Sequence, residues 1–507
     1  MTTVGDYMNG DADIGKFLSL EETLTNTGNF ETVSDMVKRR YSLTALQKIT
    51  NTWLQKEAVR KGVRFLLYKA RFLIIGSCRL GVTLKDSDMD IVFVAPQWIS
   101  EYDFLNSFYH ELMDKVECLI TVNEQYGYMC KILRVKMLNG YRFDILFASV
   151  PDDNVPRGYK VPEKDSDLIF ASCSSSISIG AVLTTSYMLN MVYSRRVFRT
   201  ALKAIRLWAK SHDVYSGPLG YFNGVSLALM TFRICQLYPK ESAGVIVYHF
   251  FRIYSQWEWE NPIRICSYLS DFDELENSNC SMYVFTACKW IKNALKNVEP
   301  QGSKIISFAI KKGHNRMLKI IQSERSWSYL FEEDNFFVYP YYNAYTVDFF
   351  TSPLFETWHS IFEQTIHNVE KSSSGFECYE LAHFKCKVFD IEGQYNGCCP
   401  AKRWFLGFKC EERHYKPGVR IHFTHGVKVK IECFERSQLS QYLPQNYLTQ
   451  MTETEVGMKD QVKDSMKEEE YSSTIAENEE GKARQVENST TFNIKRSCRK
   501  GNVLQMS

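Results

Sequence analysis

Asp88 and Asp90 close a run that reads Ile74-Ile-Gly-Ser-Cys-Arg-Leu-Gly-Val-Thr-Leu-Lys-Asp-Ser-Asp-Met-Asp-Ile-Val-Phe93: strand, glycine turn, short helix, strand. Side chains alternate along a strand, so two aspartates two positions apart face the same side, a like-charge pairing that favours a cation between them. Two hard carboxylates on one face suit Mg²⁺, which keeps several waters and takes further ligands from substrate phosphates. A third carboxylate, Asp144, interrupts the apolar run Phe143–Phe147, where an unpaired charge is costly. On a strand beside the first it completes a cluster suited to two-metal phosphoryl transfer, one ion activating the attacking hydroxyl and the other steadying the leaving group. Gly76 and Ser77, at a helix start, offer backbone N–H groups and a hydroxyl to phosphates. An isolated Asp-x-Asp is usually a surface turn; the upstream Gly-Ser and the strand-embedded Asp144 set this one apart.

The elements that must position these residues show as changes of hydrophobic period. Phe72–Ile75, Ile91–Val94, Gly127–Val135 and Phe143–Phe147 are strand-length and predict a sheet-bearing unit. Residues 32–60 place Val37, Leu43, Leu46, Ile49, Trp53 and Leu54 at helical spacing, which predicts two amphipathic helices. Long helical patterns return between 165 and 330, jointed at Gly217-Pro218-Leu219-Gly220 and Tyr238-Pro239. Within them, a helix around Arg199–His212 sets Phe198, Leu202, Ile205 and Trp208 on one side and runs Arg199, Lys203, Arg206 and Lys210 along the flank, a basic stripe expected to meet phosphates.

Residues 340–436 read as strand, helix and further strands (Tyr341–Phe350, Phe355–Val369, Ala382–Phe389, Arg403–Cys410, Arg420–Phe423, Val427–Phe434), a small α+β domain. From Lys402 to Lys430, basic and aromatic residues interleave (Lys402, Arg403, Trp404, Lys409, Arg413, Tyr415, Lys416, Arg420, Lys428), a surface for phosphate neutralisation and base stacking along single-stranded RNA. The competing account, that Trp404, Phe405 and Phe408 are core strand residues, is expected for about half of these aromatics. After 447 apolar residues thin out, acidic runs appear at Glu468–Glu470 and Glu477–Glu480, and Lys495, Arg496, Arg499 and Lys500 form a terminal basic cluster, so a disordered tail is expected there.

With 61 Lys and Arg against 59 Asp and Glu, the net charge of +2 gives no global argument for a nucleic-acid partner, and local charge must carry it. The 15 cysteines contain no Cys-x-x-Cys, and Cys398 and Cys399 are adjacent, which argues against zinc and for a reducing compartment. No run reaches 18 apolar residues, so no membrane partner is expected.

Taken together, these motifs resemble those of the eukaryotic nuclear poly(A) polymerases, of the polymerase-beta-like nucleotidyltransferase superfamily. The likeness lies in Gly76-Ser-Cys-Arg-Leu-Gly-Val82, Asp88-Met-Asp90, Val94-Ala-Pro96, Asp144-Ile-Leu-Phe-Ala148, Ala204-Ile-Arg-Leu-Trp-Ala-Lys210, Tyr215-Ser216, Gly224-Val-Ser226, Cys235-Gln-Leu-Tyr-Pro239 and Trp257-Glu-Trp259, and resumes at Trp327-Ser-Tyr-Leu-Phe331 and Asn335-Phe-Phe337. It implies an α+β, multidomain chain: a flexible tail over 1–15, N-terminal helices over 16–60 packing with the middle domain, a mixed-sheet nucleotidyltransferase catalytic domain over 61–160, a helical middle domain over 161–335, an RRM-like (ferredoxin-like) RNA-binding domain over 336–446 and a disordered tail over 447–507. The implied activity is template-independent addition of AMP from ATP to the 3′-OH of pre-mRNA, releasing pyrophosphate, by a nuclear monomer that works with cleavage and polyadenylation factors.

The resemblance also implies site roles. Asp88, Asp90 and Asp144 would bind Mg²⁺ or Mn²⁺; Ile75, Gly76 and Ser77 would line the triphosphate; Tyr215, Gly224 and Val225 would surround the nucleoside. Arg206 stands where the family usually has a phosphate-contacting lysine. Gly217 replaces an asparagine that helps read the nucleotide, Asn223 replaces the first of a glycine pair, and Leu84 replaces a polar residue. These departures bear on adenine selection, so two alternatives stay open: a terminal transferase with another nucleotide preference, and a catalytically divergent RNA-binding subunit.

Overall fold

A computed structural model describes residues 19–63, 71–85, 87–115, 119–126, 131–150, 173–266, 280–287, 293–333, 343–350, 379–387, 389–391, 401–410 and 428–435. The tails expected at 1–15 and 447–507, the helix expected at Phe355–Val369 and the strand expected at Arg420–Phe423 lie outside these residues.

After a short helix α1 (19–26), Thr32 and Asp35 form a reciprocal capping box that starts α2 (Val33–Arg60). This is one unbroken helix where the periodicity predicts two: no Gly or Pro interrupts residues 33–60. It also packs elsewhere than expected. Leu46, Ile49, Trp53 and Leu54 join the core under the first sheet, whereas Leu20 and Leu24 of α1 join the core of the helical unit.

The first sheet comprises β1 (Arg71–Ile74), β2 (Met89–Pro96), β3 (Leu119–Tyr126), β4 (Lys131–Met137) and β5 (Arg142–Val150) in the order β1-β2-β5-β4-β3. Only β2 and β5 pair in parallel. Between β1 and β2 lies α3 (Gly76–Leu80); between β2 and β3 a helical stretch runs α4 (Glu101–Asp103), a π-helical segment (Phe104–Phe108) and α5 (Tyr109–Met113). The central strands are apolar on both faces because both are covered. Ile91, Phe93, Phe143, Ile145 and Phe147 pack with α2 and Phe104, Phe108 and Leu112, whereas Val92, Val94, Ala148 and Val150 pack with Ile179, Val182 and Leu183 of α6 (Cys173–Met191).

The helical unit continues through α7 (Arg195–Ser211), α8 (Gly224–Leu237), α9 (Ala243–Tyr254), α10 (Pro300–Ile321) and α11 (Ser328–Phe331). A second sheet follows, built from β6 (Asn343–Phe350), β7 (Tyr379–Phe384), β8 (Phe389–Ile391), β9 (Ala401–Cys410) and β10 (Lys428–Glu435), in the order β10-β6-β9-β7 with β8 on β9 and every pairing antiparallel. Phe384, Trp404 and Leu406 lie in the same core as α7 to α10. Trp404 and Phe405 are buried, which corrects the expectation that Trp404 belongs to an RNA-stacking surface: the middle helices cover it.

Candidate active site

Parallel pairing of β2 with β5 makes Asp90 and Asp144 direct register partners, and antiparallel pairing of β4 with β5 sets Arg134 opposite Asp144. Strands lie about 4.8 Å apart, so one row across the sheet reads Asp90, Asp144, Arg134. By alternation this row is on the α6 face. Asp88 sits just ahead of β2, two residues before Asp90, so the three carboxylates converge at one end of the two central strands.

Arginines hold two of them. Arg134 clamps Asp144 with two bonds, Nε to Oδ1 and Nη2 to Oδ2, each 2.9 Å, and Arg142 donates to Asp88. Among the described residues no arginine clamps Asp90: desolvation first, then the charges of Asp144 and Asp88, push its carboxyl up to about 7, against the pull of Arg206 and Arg134. Among the described residues no three Asp, Glu, His or Cys side chains are arranged around one ion position, in keeping with the turning of Asp88 and Asp144 onto their arginines. The three carboxylates still offer oxygen donors alone, the kind that a hard divalent cation takes. Asp90 and Asp144 are register partners with Asp88 two residues upstream, and the ionised form of Asp90 is disfavoured by burial first and by the charges of Asp144 and Asp88 second, a cost that a cation relieves.

The turn before β2 is shaped around Asp90. The Ile75 N–H donates to the Asp90 carbonyl at 3.0 Å. Gly76 has φ +58°, and a Cβ there would lie 2.5 Å from Asp90 Oδ2, so the position takes glycine on both conformational and steric grounds. Ser77 follows as the second residue of α3. On the other side of the loop, Arg39 is buried in an ion pair with Glu31 and also donates to the Ser87 carbonyl at 3.0 Å, which fixes the residue ahead of Asp88. The segment 29–31 holds the rest: Glu31 N–H reaches Thr83 O at 3.2 Å, and Lys85 N–H reaches Asn29 O at 3.0 Å.

The second group of expected residues gathers on the helical unit. Arg206 is buried. Its Nη1 donates to Val82 O at 2.6 Å, its Nη2 donates to the Tyr215 hydroxyl at 3.0 Å, and its Nε is buried without a partner. Gly224 lies under Tyr215, since a Cβ there would be 3.1 Å from the hydroxyl, and Val225 is exposed beside it. The basic stripe on α7 is therefore largely a seam against the catalytic unit. Arg199 donates to Leu80 O at 2.8 Å, Lys203 lies over the Phe30 ring at 5.0 Å, and Lys210 is exposed.

Gly217 and Asn223 accommodate each other. A Cβ at 217 would meet Asn223 Cβ at 3.2 Å. The Asn223 side chain caps α8 by accepting from Ser226 N–H at 2.8 Å and donates to Ala294 O at 2.7 Å. Leu84 is buried and bridges to Phe30.

Sequence reasoning missed Arg134, Arg142, Arg39 and Glu31. The only local signal for Arg134 is a charge inside the apolar run Ile132-Leu-Arg-Val135; its pairing with Asp144 requires the β4–β5 register.

Fold and site together define a nucleotidyltransferase-like unit, a mixed α+β sheet with carboxylates at the ends of its central strands, joined to a helical unit. The model of the poly(A) polymerase nucleotidyltransferase domain matches residues 9–169, and that of the poly(A) polymerase central domain matches residues 197–333. The chain belongs to the poly(A) polymerase family. It is 26% identical over 382 residues to nuclear poly(A) polymerase 4 of Arabidopsis thaliana, covering 72% of this chain and 51% of the relative. It is 29% identical over 338 residues to poly(A) polymerase PAPa of Candida albicans, covering 64% and 60%, and 23% identical over 464 residues to nuclear poly(A) polymerase 2 of Arabidopsis thaliana, covering 83% and 57%. The chain thus spans between half and three fifths of the length of these relatives. Similar solved structures include the Cid1 poly(U) polymerase (TM-score 0.45, 14% identity, 63% of this chain and 98% of that one) and the polymerase core of TRAMP, an RNA surveillance complex (TM-score 0.44, 10% identity, 65% and 94%). Among the described residues no helix is long and apolar enough to cross a membrane.

Proposed function

We propose that this chain is a polynucleotide adenylyltransferase that transfers AMP from ATP to the 3′-OH of RNA without a template, releasing pyrophosphate. The observation that carries the reading is the register pair Asp90 and Asp144 on parallel strands, with Asp88 two residues upstream and Gly76 beneath Asp90 Oδ2. Asp88, Asp90 and Asp144 would hold Mg²⁺ or Mn²⁺. When bound, the divalent ions supply activation of the 3′-hydroxyl and charge stabilisation of the departing pyrophosphate.

The chain's own residues do the rest. Ile75, Gly76 and Ser77 present the start of α3 to the triphosphate, and the glycine lets the backbone come close. Arg206 adds fixed positive charge from the helical unit, and Tyr215, Gly224 and Val225 form the nucleoside wall. Arg134 and Arg142 keep Asp144 and Asp88 ordered and balance part of the carboxylate charge.

The domain division at 61–160, 161–335 and 336–446 is part of this proposal. The order β10-β6-β9-β7, counting the long strands as fourth, first, third, second, supports an RRM-like, ferredoxin-like sheet that holds the RNA. Residence in the nucleus, work on pre-mRNA with cleavage and polyadenylation factors, and a monomeric state follow from the family membership and are proposed with it; the nuclear relatives support the location. One observation favours a second reading, transfer of another nucleotide: Asn223 is held as a helix cap and position 217 has no side chain, so this wall carries different polar groups from those expected of the family.

Extension of a short RNA primer by the purified protein with Mg²⁺ and each ribonucleoside triphosphate separately tests the proposal. Long tails with ATP alone are expected. Preference for another nucleotide would establish the second reading, and no extension by folded, RNA-binding protein would overturn both.

A further inference from the structure

Where α7 ends, Asp213 adopts φ +54°, a left-handed conformation shared among the described non-glycine residues only with Ser323. Its side chain is buried against the second sheet. Oδ2 accepts from Lys385 Nζ at 2.7 Å, with the two side chains 8% and 5% exposed, and Oδ1 accepts from the Cys386 N–H at 2.9 Å. The Asp213 carbonyl also accepts from the Cys386 thiol at 3.3 Å and lies 3.3 Å from His383 Nε2. Eight residues on, the Tyr221 hydroxyl accepts from the Phe384 N–H at 3.0 Å. The end of β7 therefore grips both ends of the segment 213–221, and the Lys385 N–H is itself anchored on β9 through Phe405 O at 3.0 Å.

The gripped segment carries Tyr215, whose hydroxyl accepts from Arg206, which in turn reaches Val82 O of the catalytic unit. An ion pair buried this deeply is weak evidence for stability alone, because apolar side chains of the same volume often serve as well or better. What the pair does here is hold a turn in a sparsely populated conformation, two residues before a pocket side chain. We infer that Lys385, far along the chain in the second sheet, is a positioning residue for the nucleotide pocket, acting through Asp213 on Tyr215 and Arg206. The inference rests on the proposed placement of Tyr215 and Arg206 at the nucleotide.

The test is binding of a non-hydrolysable ATP analogue to the full chain without RNA, together with nucleotide KM and kcat for primer extension. Lys385→Met leaves the Asp213 charge buried without its partner. It is expected to weaken analogue binding and raise KM by about tenfold, with kcat changed by less than about twofold. Adding Asp213→Asn removes that charge while keeping an acceptor for Cys386 and tolerance of the left-handed turn, so the double variant is expected to regain most of the lost affinity. A Lys385→Met protein with a lowered urea midpoint but unchanged analogue affinity and KM would make the pair merely structural and overturn the inference. Should Lys385→Met fail to fold, Lys385→Gln takes its place with the same two outcomes. Tyr215→Ala separates the two levels: if it leaves analogue affinity unchanged, the pocket assignment itself is overturned and this inference goes with it.

Discussion

At Gly76 two demands meet in one residue, a φ of +58° and 2.5 Å from the place of a Cβ to Asp90 Oδ2. Gly76→Ala is therefore expected to displace Asp90, slow extension by about 100-fold and cost about 1 kcal/mol of stability, read from kcat and the urea midpoint. A variant with wild-type kcat would mean that this contact does not set the position of Asp90. The three carboxylates were legible because their signals are local: alternation puts Asp88 and Asp90 on one face, and Asp144 stands out in an apolar run. Arg134 and Arg142 were not, since the partner of Asp144 is decided by a strand register and that of Asp88 by a contact 54 residues away.

The elements divide in the same way. The strands containing Ile91–Val94 and Phe143–Phe147 declare themselves by composition, but β3, with Thr121, Asn123, Glu124 and Gln125 in its centre, has no apolar run to find and takes its place by pairing with β4. Trp404 shows the limit of alternation, which separates two faces of a strand without saying which one another element will cover. The packing of α9 against α10 makes a pH prediction. His249 stacks on Tyr238 with ring centroids 3.8 Å apart. Burial first, then the nearby Arg252, pushes both His249 and His314 down to about 4 from an ordinary 6.5. Both stay neutral when folded, while the unfolded chain takes up protons below 6.5. Their contribution is complete above that pH and is lost as pH falls toward 4. The urea midpoint of the wild type should drop through this window, and His249→Phe, which keeps an aromatic ring for Tyr238, should drop less; equal slopes would place the acid sensitivity elsewhere.

For the whole chain, the change from helical to strand patterns between 330 and 340 suggests a boundary, but the helical core runs on into Phe384, Trp404 and Leu406, so the second sheet and the middle helices share their buried surface. The two parts should therefore respond to destabilising changes together. The first sheet keeps cores of its own on both faces, and the chemistry proposed for it rests on one end of β2 and β5. Primer extension by Asp90→Ala beside the wild type across a Mg²⁺ titration tests that claim most directly, with the urea midpoint as the check on folding. The folded variant is expected to lose at least about a thousandfold in rate at every Mg²⁺ concentration. A folded Asp90→Ala protein that still extends RNA in a Mg²⁺-dependent way would contradict it.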